Sequence, residues 1–199
     1  MTRIAATTPA RRAQRSDARR NKEALLNAAA AVFVRSGVEA PLREIAAEAG
    51  VGTATIYRHY PTRADLILAV YRHQVEELAE SGPRLLASAD SPHRALARWT
   101  DHLVDFVVTK QGLAAVLQSD DPCYDPLHEY FLERLEPVCQ QLLDAATRAG
   151  EIIDGQDAYE LMRAVGSLCA GASSTRTYDA RRLAGLLVAG LRRPFPFGR

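Results

Sequence analysis

The sequence is poor in cysteine and has no hydrophobic run long enough to cross a membrane. Its three cysteines, Cys123, Cys139 and Cys169, are widely spaced, and no CxxC pair occurs. A scattered, odd-numbered set without a secretory signal predicts reduced thiols in a cytoplasmic protein rather than a disulfide framework. No apolar run approaches about 18 residues, the length that a transmembrane helix requires, so we expect no membrane partner.

Sequence motifs of common enzymes are missing as well. The chain contains no HExxH, no GxGxxG, no phosphate-binding P-loop and no Ser/His/Asp triad pattern. Cys123 and His128 have no companions at the spacing of metal ligands. We therefore expect no enzyme activity, no cofactor and no bound metal.

Net charge is close to zero, but the basic residues are unevenly distributed. The chain has 25 Lys and Arg against 24 Asp and Glu. Residues 1–22 hold seven basic residues and a single acidic one, so the rest of the chain is mildly acidic. A basic arm on an acidic body favours contact with a polyanion such as nucleic acid. A solvated tail is the alternative interpretation of the same residues.

Helical periodicity runs through almost the whole chain, and no convincing strand alternation occurs. The pattern predicts an all-α protein with a three-helix unit at the N-terminus followed by a larger helical bundle. Glycine and proline clusters mark the breaks between helices, including one at residues 81–83. The predicted helices cover 16–36, 41–49, 53–60, 63–80, 92–110, a short segment with Leu113, Val116 and Leu117, 126–149 around Pro137, 156–172 and 179–192.

Residues 42–60 predict two short amphipathic helices joined by a glycine turn. Ile45 lies on the buried face of the first helix, and Gly50 supplies the left-handed residue that ends it. Thr53 is placed to cap the second helix, whose Ile56 and Tyr60 point inward. The second helix keeps a small, polar and cationic outward face, which suits phosphate and the DNA major groove. That face consists of Ala54, Thr55, Tyr57, Arg58 and His59.

This region resembles the TetR family of bacterial transcriptional repressors. The resemblance is carried by residues 29–33 with Gly37, by 43–51 and by 55–66, and it covers about residues 19–67. It implies a basic arm at 1–18, a helix-turn-helix domain at 19–62, and a ligand-binding and dimerisation domain at 63–199. Within the last domain, residues 63–80 form the linking helix. The remainder is similar in helical layout to the SbtR-like branch of the family.

The family's DNA-contacting positions can be carried over residue by residue. Two departures weaken the match: Ala40-Pro41-Leu42 stands where Thr or Ser often opens the second helix, and Thr53 stands where Lys is frequent. Both changes remove a possible phosphate contact. The implied DNA-binding residues are Arg43, Thr53, Ala54, Thr55, Tyr57, Arg58, His59 and Arg63.

The resemblance also implies an apolar ligand pocket in the second domain. Most apolar residues of an all-helical protein are ordinary core, which is the alternative for each of these positions. Polar anchors for a ligand are His102, Cys123 and Tyr124. The candidate lining residues are Trp99, His102, Leu103, Phe106, Val116, Leu117, Phe131, Leu135 and Met162.

The sequence therefore predicts a ligand-responsive repressor that binds palindromic double-stranded operator DNA. We expect a homodimer formed through the helices at 156–172 and 179–192. A small, largely apolar effector bound near Trp99, His102 and Phe106 would release the DNA by shifting the linking helix. Two alternatives remain: a regulator released by a protein partner or by thiol oxidation, and a helical binding protein whose arm meets another polyanion.

Overall fold

The computed structural model describes residues 9–112, 126–170 and 179–193. Within these ranges the chain forms helices and no strand, and an isolated bridge pairs Ile152 with Arg192. This confirms the predicted all-α class. The helices are α1 (Pro9–Ser36), α2 (Leu42–Ala49), α3 (Thr53–His59), α4 (Arg63–Ser88), α5 (Pro92–Gly112), α6 (Pro126–Arg148), α7 (Ala158–Ala170) and α8 (Ala180–Gly190).

The chain divides into two compact units, Met1–His73 and Gln74–Arg199. The first unit contains α1, α2, α3 and the first residues of α4. The second contains the rest of α4 and the helices that follow. Among the described residues, no helix has both the length and the apolar character needed to cross a bilayer.

The core of the first unit forms beneath α1. Val32 and Phe33 are buried there, and Gly37 ends the helix with a left-handed φ of 78° and an N–H bonded to the carbonyl of Phe33 at 2.9 Å. The predicted end of this helix is confirmed. Its start is not: the helix begins at Pro9 rather than near Ser16. Proline is favoured at a first helical position, and the Ala- and Arg-rich residues that follow it are strong helix formers.

The predicted break at residues 81–83 is wrong, because α4 continues to Ser88 with Pro83 inside it. Tertiary packing explains the continuation. A Cβ on Gly82 would lie 2.3 Å from Cγ1 of Val138, so the glycine permits a close approach to α6. Two side-chain donors, Ser81 Oγ at 2.7 Å and Trp99 Nε1 at 3.0 Å, bond the Leu78 carbonyl one turn earlier. Pro83 itself removes the N–H that would bond the Ala79 carbonyl, so the packing around Gly82 and Leu78, and not a replaced backbone bond, stabilises the helix here.

The second unit is built around α5, which packs against α6, α7 and α8. Trp99, Leu103, Leu135 and Val165 are fully buried between these helices. Buried His93 links both ends of the unit, because its Nε2 lies 3.1 Å from the Val188 carbonyl and its backbone N–H bonds Glu151 Oε2 at 2.7 Å. These contacts fix the start of α5 against the end of α8.

The remaining predicted elements agree with the structure to within a few residues. Pro137 lies inside α6, as expected. Asp157 accepts a hydrogen bond from the Glu160 N–H at 2.8 Å at the start of α7, and Asp179 does the same for Arg182 at 3.0 Å before α8. The short helix predicted around Leu113 lies outside the described residues.

Candidate nucleic-acid interface

The turn between α2 and α3 is held by backbone geometry. Gly50 is left-handed, with φ 65°, and its N–H faces the Ala46 and Ala47 carbonyls. The N–H of Val51 then bonds the Ala46 carbonyl at 2.9 Å. This is the pattern by which a glycine ends a helix and turns the chain sharply. The predicted role of Gly50 is confirmed.

Helix α2 starts without a side-chain cap. Its N-cap is Pro41, with φ −60° and ψ 135°, so the helix begins at Leu42 rather than at the proline. The N–H of Glu44 bonds the Pro41 carbonyl at 2.9 Å. No hydroxyl stands at this helix end, as the Ala40-Pro41-Leu42 sequence predicts. Arg43, in the first turn, is exposed.

The predicted capping role of Thr53 is wrong. The N-cap of α3 is Gly52, which has extended backbone and makes no side-chain bond. Thr53 is already the first helical residue, so its backbone has left the extended conformation that a cap requires. Its side chain is instead exposed at the start of the helix.

Helix α3 separates a buried side from an outward side, as the sequence predicts. Ile56 is fully buried, and Tyr60, which follows the helix, is 7% exposed. Tyr57 has 57% of its surface exposed, which is unusual for a large aromatic residue. Thr55 is half-buried, while the remaining outward residues are exposed: Thr53, Ala54, Arg58 and His59. One short helix thus presents hydroxyl, cationic and aromatic groups together.

Arg63 occupies a place that sequence reasoning did not foresee. Its guanidinium donates hydrogen bonds to the carbonyls of Val38 and Ala40, the latter at 2.9 Å, in the turn between α1 and α2. Its Nε lies 4.0 Å from Glu39 Oε2. The side chain is 31% exposed and is directed at the protein's own backbone. Arg63 therefore fixes the turn that precedes α2.

The start of α4 is closed by a reciprocal cap. Thr62 Oγ1 and its backbone N–H both bond Asp65 Oδ2, at 2.7 and 3.0 Å, and the Asp65 N–H bonds Thr62 Oγ1 at 3.1 Å. Thr62 and Asp65 thus form a capping box at the start of α4. The cap holds Arg63 at the first position of α4, opposite the turn it contacts.

A basic hollow of about 270 Å³ lies between α1 and α3. It brings Asn21 and Lys22 of α1 next to α3, a pairing that sequence reasoning missed. The Tyr60 hydroxyl is buried without a hydrogen-bond partner in the described part of the chain, and burial raises the pKa of Tyr60. The lining residues are Asn21, Lys22, Leu25, Val51, Thr55, Arg58, His59 and Tyr60.

A larger cleft, of about 370 Å³, lies along α4 and α5 in the second unit. Of the residues predicted to bind a ligand, His102 and Phe106 line it. Phe131 stacks on Phe106 with ring centroids 5.6 Å apart. The lining is more polar than predicted: Gln74, Glu77, Leu78, Ser81, Arg84, His102, Asp105 and Phe106.

Four predicted lining residues belong to the core instead of this cleft. Trp99 is fully buried because its Nε1 donates to the Leu78 carbonyl and its ring packs near Gly82. Leu103, Leu135 and Met162 are also buried and do not line the cleft. Large apolar side chains of a helical bundle pack against one another where they can, which the sequence pattern does not distinguish from a cavity wall. Val116, Leu117, Cys123 and Tyr124 lie outside the described residues.

Two of the three cysteines have protonated, shielded thiols. Cys139 is fully buried, and burial raises its pKa to about 12. Cys169 is buried too, and burial raises its pKa as well. Because the thiolate is the reactive form, neither residue is suited to sense an oxidant. Cys123 lies outside the described residues.

The sequence matches two families in succession. Residues 25–70 match the bacterial regulatory proteins of the tetR family, and residues 91–193 match the C-terminal domain of SbtR-like transcriptional regulators. The first match spans α2, α3 and the capped start of α4. The second covers most of the unit that contains the cleft.

Solved structures show the same relationship over nearly the whole chain. A TetR transcriptional regulator from Streptomyces coelicolor is 36% identical, with a TM-score of 0.75, and the match covers 86% of this chain and 98% of that one. A TetR transcription regulatory protein from Mycobacterium vanbaalenii is 30% identical, with a TM-score of 0.66 and coverage of 90% and 99%.

A curated relative matches a shorter part of the chain. The transcriptional repressor LfrR of Mycolicibacterium smegmatis is 46% identical over 54 residues, which are 27% of this chain and 28% of the relative. The chain thus spans little more than a quarter of that relative's length.

These relatives are regulators of transcription and not enzymes, in agreement with the absence of enzyme motifs from the sequence. The helix-turn-helix geometry, the match of its residues to one family and the match of most of the second unit to an SbtR-like domain lead to one assignment. The chain belongs to the TetR family of DNA-binding transcriptional regulators.

Proposed function

We propose that this protein is a repressor that binds a palindromic operator as a homodimer and leaves it when a small molecule occupies the cleft along α4 and α5. The observation that carries the DNA-binding part is the outward face of α3. Tyr57 is 57% exposed there, directly beside the fully buried Ile56 that anchors the helix. A polar helix anchored in this way suits the major groove.

The outward residues divide into two proposed roles. Arg43, Tyr57 and His59 carry exposed donors that suit phosphate oxygens, and such contacts set the position of the protein on the duplex. Base edges are the proposed targets of the other outward groups, whose hydroxyls and guanidinium can bond bases and whose alanine permits close approach or a thymine-methyl contact. These are Thr53, Ala54, Thr55 and Arg58.

Arg63 is proposed to act on DNA binding indirectly. Its guanidinium bonds the Ala40 carbonyl at 2.9 Å, just before α2 begins. Because α2 carries Arg43 and packs against α3, fixing this turn fixes the orientation of both helices. Arg63 is therefore a positioning residue in this proposal and not a phosphate clamp.

The homodimer is proposed from the exposed apolar residues around α7 and α8. Leu186 is 57% exposed, Ile153 40% and Tyr159 38%. On α8, Ala184 and Val188 face the core, which leaves Leu186 on the opposite side. A second copy of the chain would cover these side chains. Twofold symmetry then places two α3 helices on two half-sites about 34–36 Å apart, which makes the operator palindromic.

The effector part of the proposal rests on the position of the cleft. Gln74, Glu77, Ser81 and Arg84 of α4 line it, and the same helix begins with Arg63. A ligand that shifts α4 would thus act on the residue that holds the α1–α2 turn. The buried, protonated thiols of Cys139 and Cys169 disfavour release by their oxidation. Such a regulator acts in the bacterial cytoplasm, which we include in the proposal.

Binding to the DNA that flanks the protein's own gene tests the proposal. In a gel-retardation assay with excess non-specific competitor, the full-length protein should retard one intergenic fragment that contains a palindrome. The double variant Y57A/R58A should lose this binding while its helical circular dichroism is retained. The matched control, Arg98→Ala, removes an exposed arginine of α5 and should bind like the wild type. Equal retardation of all fragments would contradict a sequence-specific regulator.

A further inference from the structure

We propose that the cleft along α4 and α5 takes a protonated amine with a flat apolar body, with the ammonium group beside Gln74 and Glu77. The inference rests on the effector-binding function proposed above and names the ligand class. It departs from the largely apolar effector that the sequence predicts, because most residues that line the cleft are polar.

The register of the two helices gives the cleft a direction. A short turn joins α4, which ends at Ser88, to α5, which begins at Pro92, so the two helices run antiparallel. The Trp99 indole donates to the Leu78 carbonyl at 3.0 Å, which sets their register. His102 to Phe106 therefore lie beside the earlier residues of α4, around Gln74. Arg84 lies at the other end, ten residues or about 15 Å along the helix.

The Gln74 end of the cleft offers a buried hydrogen-bond acceptor. The Gln74 side-chain oxygen is buried and has no donor within the described part of the chain. A buried acceptor without a donor is unfavourable, so a ligand that supplies an N–H gains affinity there. Ser81, seven residues further along α4 and three before Arg84, donates its hydroxyl proton to the Leu78 carbonyl at 2.7 Å. Toward a ligand its oxygen can therefore act only as an acceptor.

The charges at this end favour a cation. Glu77 and Asp105 contribute carboxylates from opposite helices. Asp105 is paired with Arg181 of α8, so its charge is partly compensated. The cationic side chain in the lining, Arg84, lies at the far end. A ligand carboxylate beside Gln74 would meet the two carboxylates, whereas an ammonium group would meet acceptors and negative charge.

The apolar part of the cleft suits a flat body. Leu78 and Phe106 are buried and line it. Phe106 is stacked against Phe131 with an interplanar angle of 15° and a centroid separation of 5.6 Å. This stacking fixes the plane of the Phe106 ring. A fixed aromatic face beside negative charge is favourable for a cation attached to a planar ring.

A matched naphthalene series tests the ligand class. The probes are 1-naphthylmethylamine, 1-naphthalenemethanol and 1-naphthaleneacetate, which share one apolar body and differ in charge and donors. Binding to the full-length protein is measured by isothermal titration calorimetry at pH 7. The amine should bind about tenfold or more tightly than the acetate, in keeping with hydrogen bonds between charged groups.

Two variants assign the preference to this cleft. Because Glu77 is exposed, Glu77→Gln should lower the affinity for the amine by about threefold to fivefold and leave that for the alcohol nearly unchanged. Gln74→Leu should weaken both, because it removes the unpartnered acceptor. Glu80→Gln is the matched control: this glutamate is exposed on the same helix and does not line the cleft. Circular dichroism verifies that each variant is folded.

The other outcomes overturn the inference in distinguishable ways. Tighter binding of the acetate, lost in Arg84→Gln, would reverse the ligand class and leave a ligand-responsive cleft in place. An amine preference that Glu77→Gln leaves unchanged would show that the ammonium group does not bind beside Glu77. Failure of the whole series to bind at millimolar concentration would overturn the cleft as a site for such ligands. The DNA-retardation assay is independent of all three results.

Discussion

The guanidinium of Arg63 donates a hydrogen bond to the carbonyl oxygen of Ala40 at 2.9 Å, so the first residue of α4 holds the turn that leads into α2. A family comparison alone would place Arg63 against the DNA backbone. The contact gives the residue a structural role within the protein, because its Nη1 donors are directed at the backbone of the α1–α2 turn. The two roles make different predictions.

Arg63→Ala should weaken binding to all DNA sequences without changing the salt dependence. The variant loses two charged-donor hydrogen bonds that are partly exposed to solvent, which we expect to cost about 1–2 kcal/mol of unfolding free energy. Arg43→Ala is the comparison: it should leave stability unchanged and reduce the salt slope by about one phosphate contact. Retardation assays at four salt concentrations measure both slopes. A reduced salt slope in Arg63→Ala would indicate that Arg63 contacts a DNA phosphate after all.

Substitutions on the two sides of α3 should separate DNA binding from stability. Tyr57→Phe removes one exposed hydroxyl, and we expect DNA affinity to fall by about fivefold to tenfold with no change in melting temperature. Ile56→Ala empties a fully buried position, so it should lower the unfolding free energy by about 2–5 kcal/mol. Urea titration and retardation assays on both variants test this. A strongly destabilised Tyr57→Phe would indicate a structural role for that hydroxyl.

Leu186→Glu should convert the protein to a monomer. The side chain is 57% exposed on α8, so the charge is tolerated by the isolated chain and is unfavourable only in a buried contact between copies. Light scattering at micromolar concentration should give twice the chain mass of 21.8 kDa for the wild type and the single mass for the variant. The control is Arg98→Glu, at an exposed position of α5 outside the helices proposed to form the interface. A wild-type monomer would rule out the homodimer.

The ion pair between Glu76 and Arg134 should make the free energy of unfolding depend on pH in the acidic range. Arg134 bonds both carboxylate oxygens, at 2.7 and 2.6 Å, and Tyr130 adds a further bond at 2.5 Å. The hydrogen bond from Arg134 is the main cause that lowers the pKa of Glu76 below its ordinary value of 4.5, against the opposing effect of burial. The contribution of the ion pair to the free energy of unfolding is therefore fully present above pH 4.5. It is lost as the pH falls through the lower pKa that Glu76 has in the folded protein.

Glu76→Gln measures this contribution. Since the pair is partly exposed to solvent, we expect the variant to be less stable by about 0.5–1 kcal/mol at pH 7. The difference from the wild type should shrink as pH falls below 4.5, the ordinary pKa of the group. Urea unfolding at pH 7, 5, 4 and 3 provides the comparison. A difference that stays constant over this range would show that the carboxylate charge is not responsible.

Thiol reagents should distinguish the cysteines in the native protein. Burial raises the pKa of Cys139 to about 12 and raises that of Cys169, so both remain protonated at pH 8. We expect at most one of the three thiols to react within minutes with Ellman's reagent, and all three after unfolding in urea. Mass mapping identifies the sites. Rapid native labelling of Cys139 would reopen oxidation as a release mechanism.

Much of the DNA-binding unit is determined by local sequence. The left-handed turn at Gly50, the buried Ile56 and the cap formed by Thr62 follow from residue type and helical spacing, because each depends on neighbours only a few positions away. The outward face of α3 follows from the same periodicity. The all-α class was predictable for the same reason, since it is the sum of such local preferences.

Tertiary structure decided what local rules leave open. Residues 81–83 have the composition of a helix break, yet α4 continues through them because Gly82 allows α6 to approach closely. A large aromatic residue such as Trp99 could equally line a pocket, yet its indole N–H bonds the Leu78 carbonyl inside the core. The guanidinium of Arg63 is placed by contacts with residues distant in sequence. Spacing along the chain determines which face of a helix a residue occupies, whereas the partner that meets that face is determined only when the helices pack.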